Sequence, residues 1–175
     1  MALSTATVTV SSFDIGPCRV TFDAIDIGGT LGNVTCNFKY TKADMKADQT
    51  GSALLDQAIS GLEVTVETEF AEVRDKAIMH KLFPNVTYDA TSTAALDWGN
   101  QVPARQLPLA KELTLHPLVN DNAVVAQDWT FFKAVPSEES SYVFDPANQG
   151  KMKIVWKVYM PTDTYIMFRY GDTTI

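Results

Sequence analysis

A strictly alternating segment restricts what this chain can fold into. In GLEVTVETEFAEV, residues 61–73, every second position from 62 to 70 is apolar or threonine: Leu62, Val64, Val66, Thr68 and Phe70. Successive side chains of a β-strand point to opposite faces of the sheet. The segment is therefore predicted to be a strand that buries this set of side chains and exposes Glu63, Glu67 and Glu69 on its other face.

Similar alternation recurs along the chain. Segments 18–26 and 34–42 alternate around the turn GGTLG, which predicts a β-hairpin. Further strands are predicted at 109–116, 126–134, 151–160 and 165–170. One helix is predicted within 72–85, ended by Pro84, and residues 86–107 are predicted to be loop. The fold class expected is mainly β, an antiparallel sandwich or barrel with one flanking helix.

Size and composition indicate an ordinary globular chain. It has 175 residues, of which 46% are hydrophobic and 20% charged, and neither a repeat nor a linker divides it. We therefore expect one domain spanning residues 1–175. The first residues lack the pattern of a signal peptide, and no apolar run is long enough to span a bilayer, so we expect a protein made and kept in a cytoplasm, without membrane insertion.

Cysteine and histidine are scarce. Without an export signal, Cys18 and Cys36 are interpreted as reduced, half-buried thiols in preference to a disulfide. Together with His80 and His116 they lack the close spacing typical of zinc ligands. No metal and no cofactor is expected.

Acidic charge is concentrated in one part of the sequence. Between Asp44 and Asp75 there are eight acidic and two basic residues, an excess of six out of a net charge of −7. A concentrated block of one sign indicates a directed electrostatic field, whereas dispersed acidity favours only solubility. A basic nucleic-acid-binding patch is missing from the sequence.

The sequence offers little support for an enzyme. Glu67 and Glu69 lie on one strand face and resemble a carboxylate pair, but the pattern supplies no partner or pocket that would raise a pKa. Glycine-rich phosphate loops and nucleophile elbows are missing. The aromatic residues of the predicted strands are interpreted as core in preference to a stacking platform: Trp129, Phe131, Trp156 and Tyr159. Trp98 lies outside any pattern and is a candidate anchor against a neighbouring subunit.

The first part of the chain resembles the phage tail tube protein family. The similarity lies in VTFDAIDIGGTLGNVTCNFKYTKADMKADQTG followed by ISGLEVTVETEFAEV, over about residues 20–83. A strand ending in a glycine turn is followed by a second strand and by a long loop, in which Met45 to Asp48 and Thr50-Gly51 match the family pattern. The strand with Gly61, Glu72 and the alternating apolar residues then leads into a helix.

This resemblance implies a structural protein of a virion tail, assembled in the host cytoplasm. Tail tube subunits form rings, typically hexameric, that stack into a hollow tube for genome passage. The implied partners are further copies of the chain and other tail proteins (terminator, tape measure and distal tail protein). DNA is expected to pass through without specific binding. A long non-contractile tail is favoured.

Site assignments follow from the resemblance and the charge pattern together. An acidic lumen repels the DNA phosphates, and on this basis five acidic residues are expected to face the channel: Glu63, Glu67, Glu69, Asp44 and Asp48. The segment 43–60 is predicted to be an unstructured excursion that reaches an adjacent ring, with these contacts: Met45, Thr50, Gly51, Leu54, Leu55 and Asp56. The alternatives are a terminator or distal tail protein of the same fold, and a carbohydrate- or receptor-binding β-sandwich.

Overall fold

The computed structural model describes residues 16–46, 48, 53–71, 75–83, 85–89, 95–99, 105–136 and 140–172. In these ranges there are eleven strands and one α-helix. The strands are β1 Cys18–Phe22, β2 Ile25–Asp26, β3 Thr35–Met45, β4 Asp56–Phe70, β5 Val86–Asp89, β6 Ala95–Trp98, β7 Lys111–Pro117, β8 Trp129–Pro136, β9 Ser141–Val143, β10 Lys151–Val158 and β11 Phe168–Tyr170. The helix α1 spans Lys76–Leu82, and a short 3-10 turn spans Leu107–Leu109.

Nine strands form one antiparallel sheet. Its order is β2-β1-β7-β8-β10-β4-β3, with β11 added to β8 and β9 added to β10, while β5 and β6 form a separate hairpin. The sheet curls over: Phe22 of β1 and Trp156 of β10 have ring centroids 4.8 Å apart, and Thr30 forms a bridge with Phe70 at the end of β4. The protein is therefore mainly β, an antiparallel sandwich with one helix, as predicted.

The concave side of this sheet encloses a single core cluster. Five strands of the main sheet contribute fully buried or nearly fully buried side chains, among them Val20, Val64, Val66, Leu113, Phe131, Ile154 and Trp156. The indole N–H of Trp156 donates to the Thr68 hydroxyl at 2.8 Å, so that the only hydrogen-bond donor of this buried ring is satisfied. The predicted core roles of Phe131 and Trp156 are confirmed.

The predicted helix is also confirmed. Asp75 is its N-cap, and one carboxylate oxygen accepts hydrogen bonds from the backbone N–H groups of Ala77 at 2.9 Å and Ile78 at 3.3 Å. His80 and Lys81 lie in the last turn, where positive charge is favourable, and Leu82 is buried in the core. The helix follows β4 and packs against the β5–β6 hairpin.

The predicted first hairpin is wrong. Segment 18–26 is not one strand, because it reverses at Asp23 and Ala24, whose φ angles are 50° and 62°. β1 then pairs with β2 and β7, and residues 35–42 lie in β3, which pairs with β4. The glycine-rich turn connects to β4 instead, since the Leu31 N–H donates to the Glu69 carbonyl at 2.7 Å. Alternation specifies which side chains share a face, but it does not specify the neighbouring strand.

Two further loop predictions are corrected. Part of segment 86–107 forms β5 and β6, Leu107 begins the 3-10 turn, and Val86 is buried in the core. Segment 43–60 is not an unstructured excursion, because residues 43–45 continue β3 and residues 56–60 begin β4. The two strands pair as far as Met45 opposite Asp56. The sequence shows no regular spacing of apolar residues here, because a two-stranded hairpin outside the sheet has no core to cover.

The antiparallel strands give the sheet two distinct ends. At the first, which we call the capped end, α1, the β5–β6 hairpin and residues 105–110 lie over the ends of β1, β7 and β8. At the second, the open end, residues 118–128 connect β7 to β8 and residues 159–167 connect β10 to β11. The β3–β4 hairpin continues past the open end.

Candidate functional site

The β3–β4 hairpin combines both groups of residues that the sequence assigns to function. Its register runs from Thr35 opposite Glu67 to Met45 opposite Asp56, and a β-bulge lies between Thr41 and Lys42. At the bulge the Ser60 hydroxyl donates to the Thr41 carbonyl at 3.1 Å. The bulge separates a segment of the hairpin that belongs to the sheet from a segment that projects beyond it.

The segment within the sheet presents the glutamates as expected. Val64, Val66, Thr68 and Phe70 are buried, whereas Glu63, Glu67 and Glu69 lie on the opposite, convex face. The predicted orientation of this strand is therefore confirmed at every alternating position from 63 to 70.

The expectation of a purely acidic face is wrong. Strand β10 lies beside β4 and places three lysines on the same face, each with its ammonium nitrogen next to a glutamate carboxylate: Lys151 to Glu69 at 2.9 Å, Lys153 to Glu67 at 2.6 Å and Lys157 to Glu63 at 3.8 Å. On the other side, Lys39 of β3 stands directly opposite Glu63. The glutamates thus belong to a ladder of ion pairs, not to a field of one sign.

This compensation joins residues that are far apart in the sequence. Glu67 and Lys153 belong to strands separated by five other strands and the helix along the chain, although they are neighbours in the sheet. Charge counted in a sequence window therefore overstates the charge of the folded surface. Partly exposed pairs of this kind contribute roughly 0.2–1 kcal/mol each.

The projecting segment lacks such neighbours. We define the projecting hairpin as residues 41–46, 48 and 53–61. Its apolar side chains are unusually exposed: Ile59 is 66% exposed, Leu55 56% and Leu54 50%. The Leu55 N–H donates to the Met45 carbonyl at 3.0 Å, which fixes both leucines next to the end of the paired strands. No described element packs over these side chains.

The projecting hairpin carries aspartates of its own, separate from the glutamates of the ion-pair ladder. Asp44 accepts a hydrogen bond from the Gln57 side-chain amide at 3.0 Å and lies 3.7 Å from the Lys46 ammonium. Asp48 and Asp56 are exposed. Thr50 and Gly51, which the sequence assigns to the same contact region, lie outside the described residues.

Trp98 has a partner within the chain. It ends β6, and its ring centroid lies 4.8 Å from that of Phe83, which is part of the core cluster. The side chain is still 58% exposed. Trp98 therefore covers Phe83 on one side and leaves the other side open at the capped end.

The sequence did not suggest the buried pair of His116 and Asp128. The His116 Nδ1 atom lies 2.6 Å from the Asp128 carboxylate, both side chains are buried, and the His116 Nε2 atom has no hydrogen-bond partner among the described residues. The pair links Asp128, in the connection between β7 and β8, to His116 at the end of β7. A histidine at an outward position of a predicted strand is the only signal in the sequence, and it does not indicate a partner 12 residues away.

The two cysteines face the core side of β1 and β3. Burial raises the pKa of the Cys18 thiol, and burial together with the nearby Cys18 raises the pKa of Cys36 to about 11. Both thiols are free and half-buried, as the sequence suggested. A thiol with a raised pKa is mostly protonated at neutral pH and therefore a poor nucleophile.

Other types of site find little support in the described residues. Within them, no group of three or more His, Cys, Asp or Glu side chains is arranged to hold a metal ion. None of the helices described is both long and apolar enough to cross a bilayer. A search of protein-family models and of curated proteins finds no match to this chain. Its function is therefore inferred from its own geometry together with the resemblance in residues 20–83.

Proposed function

We propose that this chain is the repeating subunit of a phage tail tube, assembled from copies of itself through the projecting hairpin. The observation that carries the proposal is the hairpin itself, which continues the main sheet past its core and exposes apolar side chains there. A monomer gains nothing from this arrangement, because two-stranded ribbons are only marginally stable in water.

The exposed leucines supply a measurable driving force. Full burial of a leucine side chain is favourable by roughly 1.5–3 kcal/mol relative to exposure. Leu54 and Leu55 are each about half exposed, so about half of that free energy is still available to an intermolecular contact. Large exposed apolar side chains grouped on one element are typical of protein–protein interfaces.

The free edge of β3 also favours association. β3 is 11 residues long and ends the order of the main sheet, so among the described residues only its β4 side is paired. Long open edges recruit other strands, and proteins that do not oligomerise usually block them. A ring of copies places this edge next to a neighbouring subunit, whereas the hairpin connects successive rings.

The proposal does not rest on an acidic lumen. The glutamates assigned to that role from the sequence are paired with lysines, so repulsion of DNA by this face does not support it. The passage of DNA through the tube, the location in a virion and the contacts with other tail proteins are proposed from the resemblance in residues 20–83.

Electron microscopy and light scattering of the concentrated protein test the proposal. The wild-type chain is expected to form rings and stacked tubes. Leu54→Asp combined with Leu55→Asp is expected to raise the concentration needed for stacking about a hundredfold, because the burial of two leucines is lost. The matched control, Leu54→Met with Leu55→Met, keeps apolar surface and is expected to stack.

The outcomes separate the alternatives. Single rings that do not stack favour a terminator or distal tail protein of the same fold. A wild-type chain that stays monomeric at high concentration contradicts the proposal. A double-aspartate variant that stacks as well as the wild type shows that the hairpin is not the contact.

A further inference from the structure

The capped end contains a cleft to which the proposed function assigns no role. It encloses about 280 Å³ between α1, residues 108–109 and the ends of β1, β7 and β8. Apolar side chains form most of its lining, among them Phe22, Leu82, Phe83, Leu109 and Pro136. The volume is just below the roughly 300 Å³ at which pockets for small organic ligands begin, so a few side chains fill it better than a whole ligand.

The polar residues of the cleft give it a positive rim. Lys81 and Lys111 are both exposed at its mouth, and Asp23 supplies one compensating carboxylate, 3.6 Å from the Lys111 ammonium. The Nδ1 atom of His80 lies 2.9 Å from the Val86 carbonyl, which fixes the orientation of the imidazole. The two lysines and Asp23 together sum to one positive charge.

The projecting hairpin has the complementary chemistry. It presents Leu54 and Leu55 as two adjacent apolar side chains, directly followed by Asp56. Three aspartates (Asp44, Asp48 and Asp56) against Lys42 and Lys46 leave the projecting hairpin with a net charge of −1. Apolar side chains flanked by carboxylates match an apolar cleft with lysines at its mouth.

The two surfaces lie at opposite ends of the sheet. The hairpin leaves from the open end, whereas the cleft lies at the capped end, so the hairpin of one copy points away from its own cleft. A contact between two different patches is heterologous, and with the patches at opposite ends of the subunit it can continue from copy to copy as an open stack. This is the geometry that stacking requires.

We infer that the cleft beneath α1 receives Leu54 and Leu55 of a second copy, with Lys81 and Lys111 facing the aspartates of that hairpin. The inference rests on the proposed function and specifies the surface on which the hairpin lands. Each copy then inserts the projecting hairpin at its open end into the cleft at the capped end of the next copy.

Site-directed cross-linking tests this contact. In a background where Cys18 and Cys36 are replaced by alanine, Leu55→Cys is combined with Leu109→Cys and the assembled protein is oxidised. We expect a ladder of disulfide-linked oligomers on a non-reducing gel. The control combines Leu55→Cys with Val125→Cys, which lies at the open end, and is expected to yield no ladder.

A charge exchange provides the second readout. Lys81→Glu with Lys111→Glu is expected to raise the concentration needed for stacking about tenfold or more, because like charges then face each other. Adding Asp44→Lys and Asp56→Lys to the same chain is expected to restore stacking. Restoration distinguishes a direct contact from damage to the fold.

The results distinguish this inference from the proposed function. One such result is stacked tubes without disulfide-linked oligomers of the 55–109 variant, and another is stacked tubes without restoration by the charge exchange. Either result overturns the contact between hairpin and cleft and leaves the tail tube proposal intact. If neither tubes nor ladder form, both fail. A small acidic ligand in the cleft in place of the hairpin is revealed by tubes that stack normally after the lysine reversal, and this result also overturns the inference.

Discussion

The inner and outer segments of β4 differ sharply although they form one continuous strand. From Leu62 to Phe70 the side chains alternate between the core and the ion-pair ladder, and β10 pairs with residues 64–70. From Asp56 to Gly61 every residue is at least partly exposed, and β3 is the only neighbouring strand among the described residues. The bulge opposite Thr41 marks the boundary.

This difference shows that the strand is stabilised by what lies around it. The inner segment gains from a third strand and from a core, whereas the outer segment has only cross-strand hydrogen bonds and a few polar contacts, such as that of Gln57 with Asp44. Under the proposed function, a second copy of the chain covers this surface. Substitutions on the two sides of the bulge are therefore expected to affect different measurements.

The largest contrast is expected between Trp156 and Ile59. Trp156→Ala removes a fully buried ring and leaves a cavity, which is expected to lower the free energy of unfolding of the monomer by about 3–5 kcal/mol. Ile59→Ala, on the projecting hairpin, is expected to change it by no more than about 0.5 kcal/mol. Urea denaturation of the monomer checks both values, and a similar loss for the two variants contradicts the division at the bulge.

A smaller effect is expected from the buried hydroxyl of Thr68. Thr68→Val leaves the indole N–H of Trp156 without its acceptor, which is expected to cost about 1–3 kcal/mol. Thr41→Val makes the same chemical change at the exposed bulge and serves as the control. Equal stabilities of the two variants would indicate that the tryptophan finds another acceptor.

The pKa of Cys36 predicts a dependence on pH. An unperturbed cysteine thiol has a pKa of 9.0, whereas Cys36 in the folded chain has a pKa of about 11, so the folded chain binds this proton more tightly. The contribution to stability is therefore complete below pH 9 and is lost as the pH rises from 9 to about 11. Cys36→Ala is expected to have a flatter stability profile in this range than the wild type. Parallel profiles in thermal unfolding, measured at each pH, would contradict the assignment.

The smallest effect is expected at the ion-pair ladder. Glu67→Gln removes the charge that faces Lys153, and because both side chains are partly exposed the loss is expected to stay below about 1 kcal/mol. Thr65→Val, at the same face of β4 but outside the ladder, is the control. High salt is expected to remove most of the difference between Glu67→Gln and the wild type. A loss much above this size would mean that the ladder is screened from water by another part of the protein.

Much of the fold could be predicted from the sequence, because alternation and helix signals are local. The orientation of every alternating residue from Glu63 to Phe70 and the helix that Asp75 caps both follow from neighbours within a few positions. These properties depend only on backbone geometry and on the polarity of nearby side chains.

The tertiary structure decided the rest, since strand pairing joins residues that are distant in the chain. The pairing of β3 with β4, the lysines that compensate the glutamates and the contact of His116 with Asp128 all depend on which segments become neighbours. Alternation specifies a face and leaves the partner open, and charge in one segment says nothing about charge in the adjacent strand. The same local pattern therefore continues from the core of the sheet into the projecting hairpin, and only the folded sheet shows where the core ends.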